Sequence, residues 1–228
     1  MHAVIAVKSL AQAKSRLAEG LQPRDRPRLV LAMLTDTVTA AVATPGIASV
    51  TVVTPDSEVS RVVRGLGAQV EPEPSPNGHG SGLNAALAAG AAAVRRRHGA
   101  VELLALQADL PALRPRELAD ALGASTHRRS VVADHEGSGT VALLVRDGAA
   151  PLSPLFGPDS ARRHIAAGAV ELLGEWPGLR QDVDTTADLE RAAALGVGVA
   201  TGALLRELGV SRACHASKQV RRAGSSLC

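Results

Sequence analysis

Aromatic residues are almost absent from this 228-residue chain, which has one phenylalanine, one tryptophan and no tyrosine. Proteins that bind single-stranded nucleic acids stack bases on aromatic side chains beside a basic surface. The formal net charge is +3, but the stretch from Ser211 to Cys228 holds four basic residues and no acid, so the remainder carries −1. We therefore predict no nucleic-acid partner, a single domain over residues 1–210, and a basic, flexible tail over residues 211–228.

The sequence also has few cysteines and no long apolar run. Its longest uncharged apolar stretch, Leu83 to Val94, is shorter than the roughly 20 residues that a membrane-spanning helix needs. The two cysteines, Cys214 and Cys228, both lie in the tail, so they cannot cross-link a core and lack metal-ligand spacing. We expect a cytoplasmic protein that does not associate with membranes.

Several common catalytic motifs are missing. The chain has no Gly-x-Ser-x-Gly, no Walker A sequence, no Gly-x-Gly-x-x-Gly after its first strand and no pair of histidines at helical metal-binding spacing. These absences weigh against a hydrolase, a P-loop enzyme, an ordinary dehydrogenase and a zinc enzyme.

The hydrophobic pattern that is present alternates between short apolar strands and helical periodicity. Strands are predicted over residues 2–7, 49–54, 68–71, 102–106, 130–133, 140–145 and 169–172, and helices over residues 24–43, 57–66, 83–97, 115–123, 160–167 and 187–195. This alternation is typical of an α/β domain with a mainly parallel sheet, in which ligands bind beyond the carboxyl ends of the strands.

Three carboxylates are placed where they could hold magnesium. Asp109 follows an apolar strand, and Asp182 and Asp184 flank Val183 in an extended stretch, so both of their side chains point to one side. Mg²⁺ is usually bound by one or two carboxylates together with substrate phosphates, which suits phosphoryl or nucleotidyl transfer. The structural alternative is that Asp109 begins a turn and Asp184 caps the helix that starts near Thr186.

Two loops offer groups for a nucleotide. The loop after the first strand carries three cations that could bind a triphosphate, although a solvated loop explains the same charges. A second loop, over residues 72–82, is rich in glycine and asparagine and could surround a purine base. The candidate contacts are Lys8, Lys14 and Arg16 in the first loop, and Asn77, Gly82 and Asn84 in or just after the second.

Two further turns could bind an anionic acceptor. The stretches Gly137-Ser-Gly-Thr140 and Gly157-Pro-Asp-Ser160 each place small residues and a hydroxyl at the start of a strand or a helix. Helix N-termini bind anions through N–H groups. Ser160 could equally be a plain N-cap, and the two roles are compatible.

Four stretches in order resemble the 2-phospholactate/phosphoenolpyruvate guanylyltransferase family. They are Ala6-Val-Lys-Ser-Leu-Ala-Gln-Ala-Lys-Ser-Arg-Leu17, Leu106-Gln-Ala-Asp-Leu-Pro111, Phe156-Gly-Pro-Asp-Ser160 and Asp182-Val-Asp-Thr185. The resemblance runs from about residue 3 to residue 200 and departs from the family pattern at Ala108, where relatives carry glycine.

The resemblance implies a single-domain, Rossmann-like nucleotidyltransferase fold of the glycosyltransferase-A kind, with three layers and a mainly parallel mixed sheet. It also implies GTP as donor, Mg²⁺ as cofactor, and an acceptor that is phosphoenolpyruvate in bacteria or 2-phospho-L-lactate in archaea. The reaction would be a step in coenzyme F-420 biosynthesis, with the product passed to the next enzyme of the pathway.

By position, the resemblance also assigns roles to residues. It implies that Asp109, Asp182 and Asp184 bind the metal, that Thr140, Gly157 and Ser160 bind the acceptor, and that Lys8, Lys14 and Arg16 lie near the triphosphate. We predict that the catalytic residues are Lys14, Arg16 and Asp109. The alternatives are a sugar-1-phosphate or molybdopterin-type nucleotidyltransferase, whose Gly-Gly-x-Gly opening is missing here, and a non-catalytic nucleotide-binding module.

Overall fold

The computed structural model describes residues 1–10, 22–74 and 82–209 as a seven-stranded sheet with helices packed on it. The strands are β1 His2–Ala6, β2 Ser49–Val53, β3 Gln69–Glu71, β4 Leu103–Leu106, β5 Arg129–Ala133, β6 Thr140–Val145 and β7 Val170–Glu171. The helices are α1 Asp25–Val42, α2 Ser57–Gly65, α3 Leu83–His98, α4 Pro115–Ala124, α5 Ser160–Ala166, α6 Pro177–Arg180, α7 Thr186–Leu195 and α8 Val199–Glu207. The predicted tail, residues 211–228, lies outside the described ranges.

The sheet has the strand order β3-β2-β1-β4-β6-β5-β7. β6 runs antiparallel to both of its neighbours, β4 and β5, and the other strands described share one direction. The predicted mainly parallel sheet is therefore confirmed. Because β6 is reversed, its first residue lies at the same edge as the carboxyl ends of β1, β4 and β5. That edge receives the loops that carry the predicted site.

The sheet is buried on both faces, which explains why its central strands are continuous apolar runs. In β1, Ala3 and Ile5 enter the larger of two hydrophobic clusters, while Val4 enters the smaller one on the opposite face. The larger cluster includes side chains of α1, α4 and α8, and the smaller includes those of α3. The result is the predicted three-layer arrangement of helix, sheet and helix.

The predicted strands and helices are all present, with ends that differ from the predictions by at most one residue, but two helices were missed. The sequence pattern was interpreted as ending with a helix over residues 187–195, whereas α6 precedes that helix and α8 follows it. Among the described residues, no helix is long and apolar enough to cross a bilayer.

Helix α8 begins against a buried carboxylate of α1. Asp36, only 8% exposed, accepts hydrogen bonds from the backbone N–H groups of Ala200 at 2.9 Å and Thr201 at 2.8 Å. Just before the helix, the N–H of Gly198 donates to the carbonyl of Pro111 at 2.8 Å. A carboxylate that satisfies the first N–H groups of a helix stabilises it, even when it comes from another element. Asp36 therefore caps the N-terminus of α8, whose own N-cap residue, Gly198, has no side chain to do so.

Replacing Asp36 with alanine should destabilise the protein by about 1–2 kcal/mol, because two N–H groups of α8 lose their acceptor. Asp36→Asn keeps one acceptor oxygen and should fall between the wild type and the alanine variant. Urea unfolding monitored by circular dichroism measures the difference. The matched control is Asp120→Ala on the exposed side of α4, which should change the unfolding free energy by less than about 0.5 kcal/mol. Equal stability of Asp36→Ala and Asp120→Ala would contradict the capping role.

Candidate active site

Four chain segments meet at the edge of the sheet formed by the ends of β1, β4 and β5 and the start of β6. Lys8 follows β1 and Asp109 follows β4. Thr140, the first residue of β6, is paired with Ala133 at the end of β5. The backbone of Gln107, just beyond β4, donates to the carbonyl of Val141 at 2.9 Å. The predicted candidates of β1, β4 and β6 therefore share one edge.

The segment that contains Asp182 and Asp184 runs beside Asp109. Between the two carboxylates, Val183 is fully buried in the larger core cluster, and its N–H donates to the carbonyl of Asp109 at 3.2 Å. On the other side, the hydroxyl of Thr37 in α1 accepts from the N–H of Leu110 at 3.0 Å. On the carboxylate-bearing segments these bonds use main-chain groups only, so they position the segments without depending on the carboxylates.

The alternative interpretation of Asp184 as a helix cap is wrong. The N-cap of α7 is Thr185, which forms a capping box with Asp188. The carboxylate of Asp188 accepts from the N–H groups of Thr185 at 2.7 Å and Asp184 at 3.2 Å. These backbone hydrogen bonds and the Thr185 hydroxyl hold the pKa of Asp188 below its ordinary value despite burial, which raises it. The spacing Thr-x-x-Asp is a capping-box signature that could have been found from the sequence.

His135 is a neighbour of this carboxylate region that the sequence analysis missed. Its Nδ1 lies 4.0 Å from a carboxylate oxygen of Asp182, and its Nε2 lies 3.9 Å from one of Asp188 and 3.0 Å from the guanidinium of Arg191. His135 follows β5 by two residues, so it reaches the edge by the same topology as Asp109. A single histidine after a predicted strand does not by itself indicate a functional site.

The donor chemistry of this region fits Mg²⁺ held partly by substrate. In the part of the chain that the structure describes, no three histidine, cysteine or acidic side chains converge closely enough to form a complete metal site. Mg²⁺ does not require one, because it is usually held through one or two carboxylates and takes its remaining ligands from phosphate and water. Asp109 and Asp182, on segments joined by a hydrogen bond, supply carboxylates of that kind.

A cavity of about 200 Å³ lies between the end of β1 and the start of α3. Its lining residues are Ala6, Val7, Lys8, Glu73, Leu83 and Ala86. The lining is largely apolar with one cation and one carboxylate, which suits an aromatic base next to a charged group. Lys8 is thus placed as predicted at the sheet edge, and Glu73 was missed. Of the other predicted nucleotide contacts, Lys14, Arg16 and Asn77 lie outside the described residues.

Asn84 has a different partner from the predicted nucleotide base. Its amide nitrogen donates to the carbonyl of Phe156 at 3.0 Å, and its amide oxygen accepts from the N–H of the same residue at 2.8 Å. Asn84 therefore holds the loop before α5, and its contact with a base stays a prediction. Gly82, the N-cap of α3, has an extended backbone with open space around it. Its contact with a nucleotide stays a prediction.

The turn before Thr140 is held together by the carboxylate of Asp134. This side chain accepts from the N–H groups of Ser138 at 3.0 Å and Gly139 at 2.8 Å. A Cβ at position 139 would collide with the same carboxylate, so a larger residue there would displace the Asp134 side chain. The carbonyl of Ser138 accepts from the N–H of Ala161 in α5 at 3.1 Å. These backbone groups are therefore bonded within the protein, and binding of an anionic acceptor at this turn stays a prediction for Thr140.

The turn before α5 has an unusual backbone. Gly157 has φ of +125°, and Asp159, which occupies the N-cap position, has φ of +52° without a side-chain capping bond. Ser160 is the first residue of α5 and is almost completely buried. The alternative that Ser160 is the N-cap is therefore wrong, since Asp159 holds that position.

A buried histidine joins these two turns. His164 of α5 places its Nδ1 3.1 Å from the hydroxyl oxygen of Thr140, and its Nε2 accepts from the N–H of Leu155 at 2.9 Å. The ring packs edge-on against Phe156, with centroids 5.3 Å apart. Burial is the main cause that lowers the pKa of His164 from 6.5 to about 4, so the ring is neutral at physiological pH. No motif or spacing in the sequence indicates a role for this histidine.

Comparison with known proteins agrees with this arrangement. A family model described as guanylyl transferase CofC like matches residues 1–225. The chain belongs to the CofC-like guanylyl transferase family. The family resemblance found in the sequence is thereby confirmed.

Curated relatives of this CofC-like chain are similar over nearly their full length. A protein of Nocardia farcinica named phosphoenolpyruvate guanylyltransferase is 64% identical over 223 residues, covering 97% of each chain. A protein of Rhodococcus opacus with the same name is 49% identical over 228 residues, covering 96% of this chain and 95% of the relative.

Solved structures show the same fold at low sequence identity. A putative nucleotide-diphospho-sugar transferase from Desulfovibrio desulfuricans G20 aligns with a TM-score of 0.68 at 15% identity, covering 92% of the CofC-like chain and 95% of the other. A 4-diphosphocytidyl-2C-methyl-D-erythritol synthase aligns with a TM-score of 0.53 at 15% identity, covering 85% and 98%. The predicted nucleotidyltransferase fold is confirmed.

Proposed function

We propose that this CofC-like protein transfers GMP from GTP to phosphoenolpyruvate, forming enolpyruvyl-diphosphoguanosine and pyrophosphate as a step in coenzyme F-420 biosynthesis. The observation that carries the proposal is the shared sheet edge, which brings together the Lys8 cavity, the segments of Asp109 and Asp182, and Thr140. The names of relatives that are 64% and 49% identical support guanylyl transfer to this acceptor.

In the proposed reaction, a phosphate oxygen of phosphoenolpyruvate forms a bond to the α-phosphorus of GTP while the bond from that phosphorus to pyrophosphate breaks. The acceptor oxygen is already anionic, so no side chain has to act as a nucleophile. Catalysis then depends on positioning and on stabilising the charge of the phosphates. This agrees with the absence of a nucleophile motif from the sequence.

The residues divide between the two substrates. Lys8 of the cavity, together with Lys14 and Arg16 later in the sequence, binds the triphosphate through charge. The turns joined by His164 provide Thr140, Gly157 and Ser160 for the acceptor.

The carboxylates at the centre would hold Mg²⁺. Asp109 and Asp182, with Asp184 beside them, are the candidate ligands, and bound Mg²⁺ would neutralise charge on the phosphates. The protein itself keeps these residues in place through the hydrogen bond between Val183 and Asp109.

Pyrophosphate release from purified protein with GTP and Mg²⁺ tests the function, with phosphoenolpyruvate and 2-phospho-L-lactate offered separately. We expect turnover with phosphoenolpyruvate to exceed turnover with 2-phospholactate by at least about tenfold in kcat/KM. Mass spectrometry identifies the product, and addition of the next pathway enzyme tests direct transfer. A higher kcat/KM with 2-phospholactate would show that 2-phospholactate, and not phosphoenolpyruvate, is the preferred acceptor. Absence of turnover with either acceptor, together with intact GTP binding, would contradict the enzyme and favour a nucleotide-binding module.

A further inference from the structure

His164 is the only described side chain that forms a hydrogen bond with the hydroxyl of Thr140. The two groups lie in the interior, with His164 1% exposed and Thr140 3% exposed. Their chain segments, α5 and β6, are otherwise connected at this point by the bond between Ala161 and Ser138. His164 therefore contacts Thr140, a residue of the proposed acceptor site, through a hydrogen bond that is shielded from water.

The hydrogen bond from Leu155 determines which ring nitrogen of His164 carries the hydrogen. A backbone N–H can only donate, so the Nε2 atom that faces it at 2.9 Å must present a lone pair. A neutral imidazole then has its hydrogen on Nδ1. The neutral form is the one expected at physiological pH, because burial lowers the pKa of this histidine to about 4.

The hydrogen on Nδ1 in turn restricts the Thr140 hydroxyl. Nδ1 lies 3.1 Å from the hydroxyl oxygen and has a second acceptor in the backbone carbonyl of Ser160. With a hydrogen on Nδ1, the hydroxyl can only accept from the ring and cannot donate to it. The hydroxyl hydrogen of Thr140 is therefore directed away from His164 and remains available to another acceptor.

We propose that His164 is a positioning residue that fixes the Thr140 hydroxyl as a hydrogen-bond donor to an anionic oxygen of the acceptor substrate. The inference rests on the proposed function, in which Thr140 contacts phosphoenolpyruvate. The same ring also orders the neighbouring contacts, because its Nε2 holds Leu155 at the start of the Gly157 turn and its own helix begins at Ser160. One side chain thus contacts Thr140 and the loop that leads to Gly157, and it belongs to the helix that begins at Ser160.

Two substitutions of His164 distinguish the role of Nδ1 from the role of Nε2. His164→Asn places an amide near the position of Nδ1 and can still donate to Thr140. His164→Gln reaches toward the position of Nε2, retains an acceptor for Leu155 and loses the donor to Thr140. For His164→Gln, we expect the KM for phosphoenolpyruvate to rise by about tenfold while the KM for GTP changes by less than about twofold. For His164→Asn, we expect a rise of less than about threefold for phosphoenolpyruvate.

A double mutant with Thr140→Val distinguishes positioning from a general structural role. Once the hydroxyl is removed, His164→Gln should cause little further increase in the KM for phosphoenolpyruvate, because the effect of the histidine passes through that hydroxyl. If the two substitutions instead raised the KM for phosphoenolpyruvate independently, so that their fold-changes multiplied in the double mutant, the proposal would be overturned. An equal rise in the KM values for GTP and phosphoenolpyruvate would also overturn it.

NMR of the wild-type protein tests the inference without relying on a variant that folds. Long-range proton–nitrogen correlation spectra of the histidine rings report the tautomer, and we expect the Nδ1–H form for His164 with and without phosphoenolpyruvate. An Nε2–H ring would overturn the proposal. Failure of the proposed function and failure of the positioning role can be told apart. Absence of wild-type turnover would contradict the proposed function, whereas the tautomer of His164 and its contact with Thr140 are measured without activity.

Discussion

Asp109→Asn should lower kcat/KM for guanylyl transfer by at least about 100-fold with little loss of stability. The substitution keeps the size of the side chain and removes the negative charge that the proposed Mg²⁺ site needs, and changes at metal sites of this kind cost at least one to two orders of magnitude. The fold should tolerate the change, because Val183 is bonded to the carbonyl of Asp109 and Thr37 to the N–H of Leu110. Neither bond involves the carboxylate.

Steady-state pyrophosphate release across a range of Mg²⁺ concentrations measures this effect. If Asp109 binds the metal, the variant should need a higher Mg²⁺ concentration for half-maximal rate than the wild type does. Asp120→Asn on the exposed part of α4 is the matched control and should leave both the rate and the Mg²⁺ requirement unchanged. Activity of Asp109→Asn within threefold of wild type would return Asp109 to the alternative interpretation, a residue that only begins a turn.

The parts of the fold that depend on local pattern could be predicted from the sequence. Apolar runs such as residues 3–5 and 103–106 are buried on both faces of the sheet, and burial of that kind leaves a direct signal in composition. The topology then follows from the alternation of strands and helices. Since ligands bind beyond the carboxyl ends of strands, the positions of Lys8 and Asp109 could be predicted as well.

The missed elements depend on contacts between distant residues. Helix α8 begins where the carboxylate of Asp36, 164 residues earlier in the chain, accepts from Ala200. Nothing in the sequence around residue 199 indicates that cap. α6 is a single short helical segment of four residues, too short for a period of 3.6 to be recognised.

Within the candidate site, composition did not reveal the protein partners of some side chains. Asn84 lies after a glycine-rich loop, which suggested contact with a base, yet both polar atoms of its amide are bonded to Phe156, 72 residues later. In the turn before Thr140, glycine suggested anion binding, and Gly139 packs closely against the Asp134 carboxylate. A small residue in a loop can therefore reflect close packing within the protein as well as contact with a ligand.

The burial of His164 should make the stability of the protein depend on pH in a defined window. In the unfolded chain this histidine titrates near 6.5, and in the folded protein its pKa is lowered to about 4, chiefly by burial. Between these values the unfolded state binds more protons than the folded state, so stability falls as the pH falls from above 6.5 toward 4. For this one group, we expect a loss of about 2 kcal/mol between pH 7.5 and pH 5.

Other groups also titrate in this range, so the contribution of His164 is obtained from the difference between wild type and His164→Asn. Asparagine does not titrate, and the stability advantage of wild type over His164→Asn in urea unfolding should shrink by about 2 kcal/mol between pH 7.5 and pH 5. The control is His127→Gln, which removes an exposed histidine that lies outside the proposed acceptor site. A wild-type advantage that is the same at both pH values would show that His164 accepts a proton in the folded protein. Nδ1 and Nε2 would then both be donors, and the bond from Leu155 to Nε2 could not persist.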